Sequence, residues 1–362
     1  MTGTPSAQPS PKEWQAALKR YTTPNERLST RQLVSSFSLY AGTWVIIAAW
    51  SSAPLAAQIG LVLFASLAIS RLYSLFHDLA HGSLYGSRRT NGIIGTLIGF
   101  TVFTSFHGWR HEHNLHHASS GNLDDRGPGD IWTYSVREYR AWPAWKRGLY
   151  HAYRTPATIL LLGPVVSFLI ARRVPKSNAN RKVRTGVYAT NAFMVAWIVV
   201  FGQLMGWTTF VLTQGGILLV GGMIGAWILF VQHNYEETYY DSGDSWDFVA
   251  AAIRGSSFLD LPRPLPWFTA DIGYHHVHHL SARVPNYHLR AAHDALPLFA
   301  EATRMTIWDG MRAFRLKLWD EDAERMITWR ELRNHDQTAE PGKARIEGVA
   351  DALELTPQRQ PG

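Results

Sequence analysis

The 362-residue chain contains no cysteine. Disulfide bonds, zinc–thiolate sites and iron–sulfur clusters held by the chain itself are therefore excluded. Any bound metal must be held by imidazole, carboxylate or carbonyl groups. Sites rich in imidazole suit iron, zinc, copper or nickel rather than magnesium or calcium.

Charged residues are absent from two long stretches. Neither 33–70 nor 185–235 contains an Asp, Glu, Lys or Arg. A membrane-spanning helix needs about 20 apolar residues, so each stretch is long enough for two helices joined by a turn. A buried hairpin in a soluble protein is the alternative, and it is disfavoured by the length of these stretches. We predict an all-α membrane protein whose four transmembrane helices form two hairpins, over residues 33–50, 55–76, 187–205 and 210–232.

The net charge of +7 is compatible with nucleic acid or with an anionic membrane surface. The two hairpin tips, near 51–54 and 205–209, carry no charge, whereas Arg and Lys flank the other ends of the hairpins. The positive-inside rule therefore places both termini and all histidine clusters on the cytoplasmic side. A membrane surface accounts for the basic charge, and no nucleic-acid partner is predicted.

Two shorter apolar runs, 92–106 and 157–170, are interrupted by glycine or proline and predict interfacial helices. Residues 287–333 show helical periodicity, which predicts a helical segment that caps the cytoplasmic face or lies on the membrane surface. The predicted organisation is a cytoplasmic tail and basic segment over 1–32 (disordered over 1–12), a membrane domain over 33–295, a cytoplasmic helical cap over 296–335 and a disordered tail over 336–362.

Histidine is concentrated in three clusters. Two of them have the spacing i, i+3, i+4 and one has the spacing i, i+4, so on helices each cluster lies on one face. Their members are His113, His116 and His117; His275, His278 and His279; and His77 and His81. Three clusters of one ligand type indicate a metal centre assembled from several helices.

His233 stands alone at the end of a predicted span, on the same side as the clusters. With it, nine imidazoles are available, which are too many for one metal and suit two. Helical geometry puts His107, His111 and His276 outside the shared arcs, so they are predicted to support the ligands or to pack. The remaining isolated histidines are interpreted as structural: His151, His288, His293 and His335.

Four carboxylates are candidates to orient ligand imidazoles by accepting their second N–H. Capping of a helix or loop is an equally open role for each. They are Asp78, Asp124, Asp130 and Asp271.

The clusters and the residues around them resemble the three histidine boxes of integral-membrane fatty acid desaturases. The similarity is greatest to the acyl-lipid, omega-6-type branch, and it covers about residues 33–295. The segments that carry it are 77–91, 121–124 with 129–130, 231–233 and 274–287.

The resemblance implies a di-iron centre at the cytoplasmic membrane surface. Such an enzyme uses dioxygen and two electrons to remove two hydrogens from an acyl chain, here one that is bound to a lipid. His233 matches a ligand that the family places outside the boxes. The acyl-CoA branch has an asparagine four residues earlier, where this chain has Leu229, and this departure weighs against acyl-CoA as the substrate.

Electrons must come from a separate donor, because no cysteine is present and the flanking segments are too short for a fused haem domain. The basic cytoplasmic face would suit an acidic ferredoxin. A membrane hydroxylase or ketolase shares the box pattern and is the nearest alternative. A metal transporter is a more distant one, because transporters place ionisable residues near the bilayer midplane and both uncharged stretches lack carboxylates.

Overall fold

The computed structural model describes residues 11–50, 52–127 and 129–339. In these residues the chain is mostly helical, and its short strands form no closed sheet. The α-helices are α1 Pro11–Lys19, α2 Glu26–Ala49, α3 Leu55–His81, α4 Arg88–Thr101, α5 Phe106–Ser119, α6 Val136–Ala141, α7 Ala144–Tyr153, α8 Gly163–Val166, α9 Arg181–Met205, α10 Trp207–His233, α11 Phe248–Ile253, α12 Leu265–Phe268, α13 His275–Leu280, α14 Asn286–Ala295, α15 Ile307–Ala313 and α16 Trp329–Ala339.

Shorter elements complete the fold. The strands are β1 Tyr134–Ser135, β2 Phe258–Leu259, β3 Arg304–Met305, β4 Leu316–Asp320 and β5 Arg325–Thr328. Wide π-helical turns occur at Thr158–Leu162 and Ser167–Ala171, and 3₁₀ turns at Gly243–Ser245 and Pro297–Glu301.

Four helices, α2, α3, α9 and α10, are long and apolar enough to cross a membrane. They pair as two hairpins, and α3 packs against both α2 and α10. Large apolar side chains such as Val45 and Leu212 are exposed on the outside of these hairpins, as expected of a surface that faces lipid. The fold class predicted from the uncharged stretches is confirmed.

Both hairpins begin earlier than their apolar stretches. Asn25 caps α2 by accepting a hydrogen bond from the backbone N–H of Leu28 at 3.1 Å, and Asn180 caps α9 through Val183 at 3.0 Å. Such caps satisfy backbone donors that the helix leaves unpaired. Polar caps therefore set the first residue of each helix, several residues before the uncharged stretch begins.

The two shorter apolar runs form elements too short to cross a membrane alone. One is α4, with 14 residues. The other, 158–171, combines α8 with the two π-helical turns and is bent by 68° relative to α7. This bent segment packs against α10 and forms one wall of the cavity described below.

The predicted helical cap is partly a β-structure. Strands β4 and β5 form an antiparallel hairpin, and β1 adds to β4 in parallel, with Tyr134 opposite Leu318. The hairpin turns where the Asp320 carboxylate accepts hydrogen bonds from the backbone N–H groups of Asp322 and Ala323. Leu318 and Ile327 are buried between the strands and α6, so a β-hairpin stands where a helix was expected.

The predicted disordered tails lie mainly outside the described residues. Residues 11 and 12 belong to α1, and residues 336–339 continue α16. Asp336 of α16 pairs with Arg140 of α6 at 2.6 Å, which attaches this end of the helix to the rest of the fold.

Candidate metal centre

The nine predicted ligands lie on four helices that meet at one end of the bundle. His77 and His81 occupy the last turn of α3, and His233 is the last residue of α10. The box on 113–117 lies in the second half of α5, and the box on 275–279 makes up most of α13. The histidines of α3 and α10 thus lie at the ends of two long apolar helices, where the histidines of α5 and α13 meet them.

The structure divides the nine histidines into two groups. In each group every residue offers one ring nitrogen, and these nitrogens all lie within 4.8 Å of one another. The first group is His77, His81, His113, His117 and His278, and the second is His116, His233, His275 and His279. The three histidine clusters of the sequence therefore do not correspond to the two groups in space, because α5 and α13 each contribute histidines to both groups.

Helical phase explains this division. His113 and His117 are four residues apart and share one direction, whereas His116 is displaced by about 100° from His117. On α13, His275 and His279 form the equivalent pair in the second group, and His278 turns toward the first. The i, i+3, i+4 spacing predicts three imidazoles on one face of a helix, but it does not show that this face borders two separate groups.

Facing ring nitrogens approach one another closely in both groups. The Nε2 atom of His117 lies 3.1 Å from that of His113 and 3.0 Å from that of His278. In the second group, Nε2 of His233 lies 3.0 Å from Nε2 of His275. Several lone pairs therefore point into each of two small volumes, as in a metal site.

Several of these nitrogens have no hydrogen-bond partner among the described residues, although they are fully buried. They are Nε2 of His81, His116 and His279. An unpaired buried polar atom costs about 1–3 kcal/mol. A metal ion in each group would satisfy such atoms, so the residues present fit two metal ions.

Burial also sets the protonation of the clusters. Desolvation and, next in size, the repulsion between neighbouring imidazoles hold the pKa of five box histidines on α5 and α13 well below the ordinary value of 6.5. These are His113, His117, His275, His278 and His279. At neutral pH these rings are uncharged, which is the form that binds metals.

Acceptors on the outer side of three rings fix their orientation. Asp78 Oδ1 lies 3.2 Å from Nδ1 of His77, and Asp130 is hydrogen-bonded to Nδ1 of His116. His233 donates from Nδ1 to the carbonyl of Gly255 at 2.9 Å. Each contact leaves Nε2 free to face the interior of its group.

The other predicted supporting residues lie elsewhere. Asp124 accepts a hydrogen bond from the backbone N–H of Gly243 at 2.7 Å, which is the loop-capping role. Asp271 interacts electrostatically with Arg71 and Arg290, and burial raises its pKa. His276 is hydrogen-bonded to His293 at 2.8 Å, and neither His107 nor His111 belongs to a group.

A cavity of about 410 Å³ opens directly beside both groups. His77 and His113 of the first group and His116 and His275 of the second line it. Its remaining wall is mostly apolar and comes from α3, α5, α10 and the bent segment 158–171. The cavity is also bordered by a polar pair, Glu112 and Arg172. Nε of Arg172 lies 3.4 Å from Oε2 of Glu112.

Comparison with known proteins agrees with this geometry. A model of the fatty acid desaturase family matches residues 48–310. A fatty acid desaturase of Bacillus subtilis is 37% identical over 314 residues, which are 87% of this chain and 89% of that protein. The chain belongs to the fatty acid desaturase family.

More distant relatives in the family include enzymes that act on lipid-linked chains. An sn-1 oleoyl-lipid 12-desaturase of Anabaena variabilis is 23% identical over 74% of this chain and 75% of its own length. An sn-1 acyl-lipid omega-3 desaturase (ferredoxin) of Synechocystis is 27% identical over 68% of this chain and 70% of its own length. The predicted family and enzyme class are confirmed: this desaturase is an oxidoreductase of fatty acid metabolism.

The cavity walls of the desaturase include residues that the sequence analysis did not single out. The ring of Trp109 stacks on that of His113 with centroids 4.4 Å apart, and Tyr73 packs edge-on against Trp109. Both residues lie four positions before a ligand candidate, His113 and His77, on the same helix face. A position four residues before a predicted ligand was the sequence feature that could have identified both residues.

Proposed function

We propose that this desaturase introduces a double bond into the acyl chain of a membrane lipid, using dioxygen and two electrons at a di-iron centre. The observation that carries the proposal is that two groups of imidazoles, with their ring nitrogens close together, border a single, mostly apolar cavity. An alkyl chain offers no acid, base or dipole for a side chain to act on, so a bound iron pair would supply the oxidant.

The ligands in this proposal are the nine histidines of the two groups. Asp78, Asp130 and the carbonyl of Gly255 hold three of the rings by their outer nitrogens. The apolar wall positions the acyl chain by shape and excludes water from the reacting carbons. Imidazole ligation suits both iron and zinc, and metal analysis of the purified protein distinguishes the two.

Expression in a host of known lipid composition tests the reaction. We expect new unsaturated acyl chains in the membrane lipids and about two iron ions per purified chain. His113→Ala should remove the product while the protein remains in the membrane, and His111→Ala, an exposed histidine of the same helix outside both groups, should retain it. A hydroxylated product alone contradicts desaturation, and activity that requires zinc and no iron contradicts the di-iron centre.

We further propose that the histidine end of the bundle faces the cytoplasm. Arg27, Arg31 and the basic start of α9 lie at this end, and the hairpin tips are uncharged. Because the chain lacks cysteine, single cysteines introduced at exposed positions can report the sidedness. A membrane-impermeant maleimide should label Ser52→Cys, at a tip, in intact cells and Ser242→Cys, at the histidine end, only in inverted vesicles; the reverse pattern contradicts the orientation.

A ferredoxin is the proposed electron donor. The support is the net charge of +7 and the printed name of the Synechocystis relative. Reduced ferredoxin should sustain turnover by the purified enzyme, and the rate should fall as salt screens the attraction between the two proteins. Turnover that ferredoxin does not support, while another donor does, contradicts this assignment.

A further inference from the structure

The cavity follows one face of α10. The cavity-lining residues along the middle of this face repeat at spacings of three and four, as one side of a helix requires. They are Leu218, Gly221, Gly222, Gly225, Leu229 and Gln232. At 1.5 Å per residue, this face extends about 21 Å along the helix axis.

Two glycines of this face are explained by close packing. A Cβ atom on Gly222 would lie 2.7 Å from Cβ of Pro164 in the bent segment, and one on Gly221 would lie 3.1 Å from Cγ2 of Ile69 on α3. At this level α10 touches both neighbouring elements. Glycine allows that approach.

Gly225, one helical turn nearer to His233, has no such neighbour. Apart from the adjoining backbone of α10, no described heavy atom lies within 4 Å of the position that its Cβ would take, although the residue is in the middle of the cavity face. Glycine in a helix interior costs stability relative to alanine, and close packing does not account for it here. The cavity is therefore open at this position, and any side chain on residue 225 would project into it.

The depth of Gly225 matters because of where the metal groups lie. His233 is eight residues further along α10, or about 12 Å. The lining continues past Gly225 as far as Leu218 and Ile217. A chain that enters at the histidines must pass Gly225 to reach this deeper part.

We propose that Gly225 determines how much of the acyl chain can lie in the cavity beyond the metal groups, and so selects the chain length that the desaturase accepts and the carbon pair that it oxidises. The inference rests on the proposed function, in which the cavity holds the acyl chain. A side chain at this position would shorten the usable cavity, and the segment of the acyl chain beyond it would no longer fit.

A graded pair of substitutions with a matched control tests this role. Gly225→Ala adds one methyl group, and Gly225→Leu fills the open space. Gly215→Leu makes the same change on the same helix at an exposed glycine whose Cβ would also contact nothing, but which does not line the cavity. Each variant is expressed in a host whose lipids carry acyl chains of several lengths, and product chains are analysed for length and double-bond position.

We expect Gly225→Leu to reduce conversion of the longest chains, relative to the shortest, by about tenfold or more, or to move the double bond, with unchanged iron content per chain. Gly225→Ala should lower the conversion of long chains relative to short ones by a smaller factor. Gly215→Leu should give the product profile of the wild type. If Gly225→Leu does not accumulate in the membrane, the alanine variant decides the question.

Three results overturn the inference. They are an unchanged product profile for Gly225→Leu, an unchanged profile for Gly225→Ala when the leucine variant is absent, and a change in Gly215→Leu as large as that in Gly225→Leu. A wild-type enzyme that makes no unsaturated chain contradicts the proposed function instead, so the two failures are distinguishable.

Discussion

Asp78 and Asn286 are joined by two hydrogen bonds across 208 residues of sequence. Oδ2 of Asp78 accepts from the backbone N–H of Asn286 at 3.0 Å and from its side-chain amide at 2.9 Å. Oδ1 of the same carboxylate faces Nδ1 of His77, and all three residues are buried. One carboxylate therefore connects α3 to α14 and orients a ligand candidate.

Asp78→Asn should weaken metal binding. An amide has a single acceptor oxygen, so its NH₂ group must oppose a donor on either His77 or Asn286. We expect the iron content per chain to fall by about tenfold to a hundredfold at limiting iron, with product falling in parallel. Asp124→Asn, whose carboxylate caps the Gly243 loop, is the control and should retain iron; equal iron content in the two variants would contradict the role given to Asp78.

Removal of metal should lower the thermal stability of the detergent-solubilised enzyme. Nitrogens such as His81 Nε2 and His279 Nε2 are buried without a partner, and a ligand that binds only the folded state stabilises it, by about 4 kcal/mol at a thousand times its Kd. We expect a lower Tm after chelation and recovery on adding Fe²⁺. His111→Ala should respond as the wild type does, whereas a full response in His113→Ala would contradict the assigned ligand.

Arg154 should be a stability determinant. Its guanidinium is buried, donates to the carbonyl of Leu316 at 3.1 Å and to Thr133 Oγ1 at 3.2 Å, and is hydrogen-bonded to Asn234 at the end of α10. Arg154→Met leaves these acceptors unpaired and should cost about 3 kcal/mol, measured as a lower Tm.

The control for Arg154 is Arg137→Met. Arg137 is exposed, pairs with exposed Asp322, and should change stability by less than about 0.5 kcal/mol. Equal losses in the two variants would show that burial of Arg154 is not the cause.

Acid should destabilise the enzyme partly through His107. Burial, with smaller contributions from Lys182 and Arg110, lowers the pKa of this half-buried histidine from 6.5 to about 4. The unfolded chain therefore binds more protons than the folded one between these values, so stability is full above pH 6.5 and is lost as pH falls toward 4.

A variant that cannot titrate isolates this contribution. We expect the decrease in Tm between pH 7 and pH 5 to be smaller for His107→Asn than for the wild type, although solvent around the exposed half of the ring reduces the effect. An identical decrease in both proteins would show that His107 does not contribute.

Sequence patterns were sufficient wherever a local rule determined the structure. The absence of charge over 33–70 and 185–235 predicted both hairpins, because an uncharged stretch of that length is long enough for two spans. The spacing of His113, His116 and His117 predicted a shared helical face. The starts of α2 and α9 were less predictable, since Asn25 and Asn180 extend the helices beyond the apolar residues.

What the sequence could not predict depends on how distant elements are rotated and paired. The separation of His116 from His117 into two groups follows from the orientation of α5 relative to α10 and α13. Asp124 and Asp130 were equivalent candidates, and only the folded loop places Asp130 beside His116. The β-hairpin at 316–328 was missed because helical periodicity was followed over 287–333, and the addition of β1 at Tyr134 joins segments far apart in the chain.

The contribution of α13 to both histidine groups has a consequence for the biogenesis of the protein. Residues 275–279 follow all four spanning helices in the chain, so during synthesis the membrane segments leave the ribosome before either group is complete. In the proposed function, metal loading would then follow insertion of the membrane segments. A nascent chain interrupted between α10 and α13 would be embedded in the bilayer as an inactive protein with an incomplete metal centre.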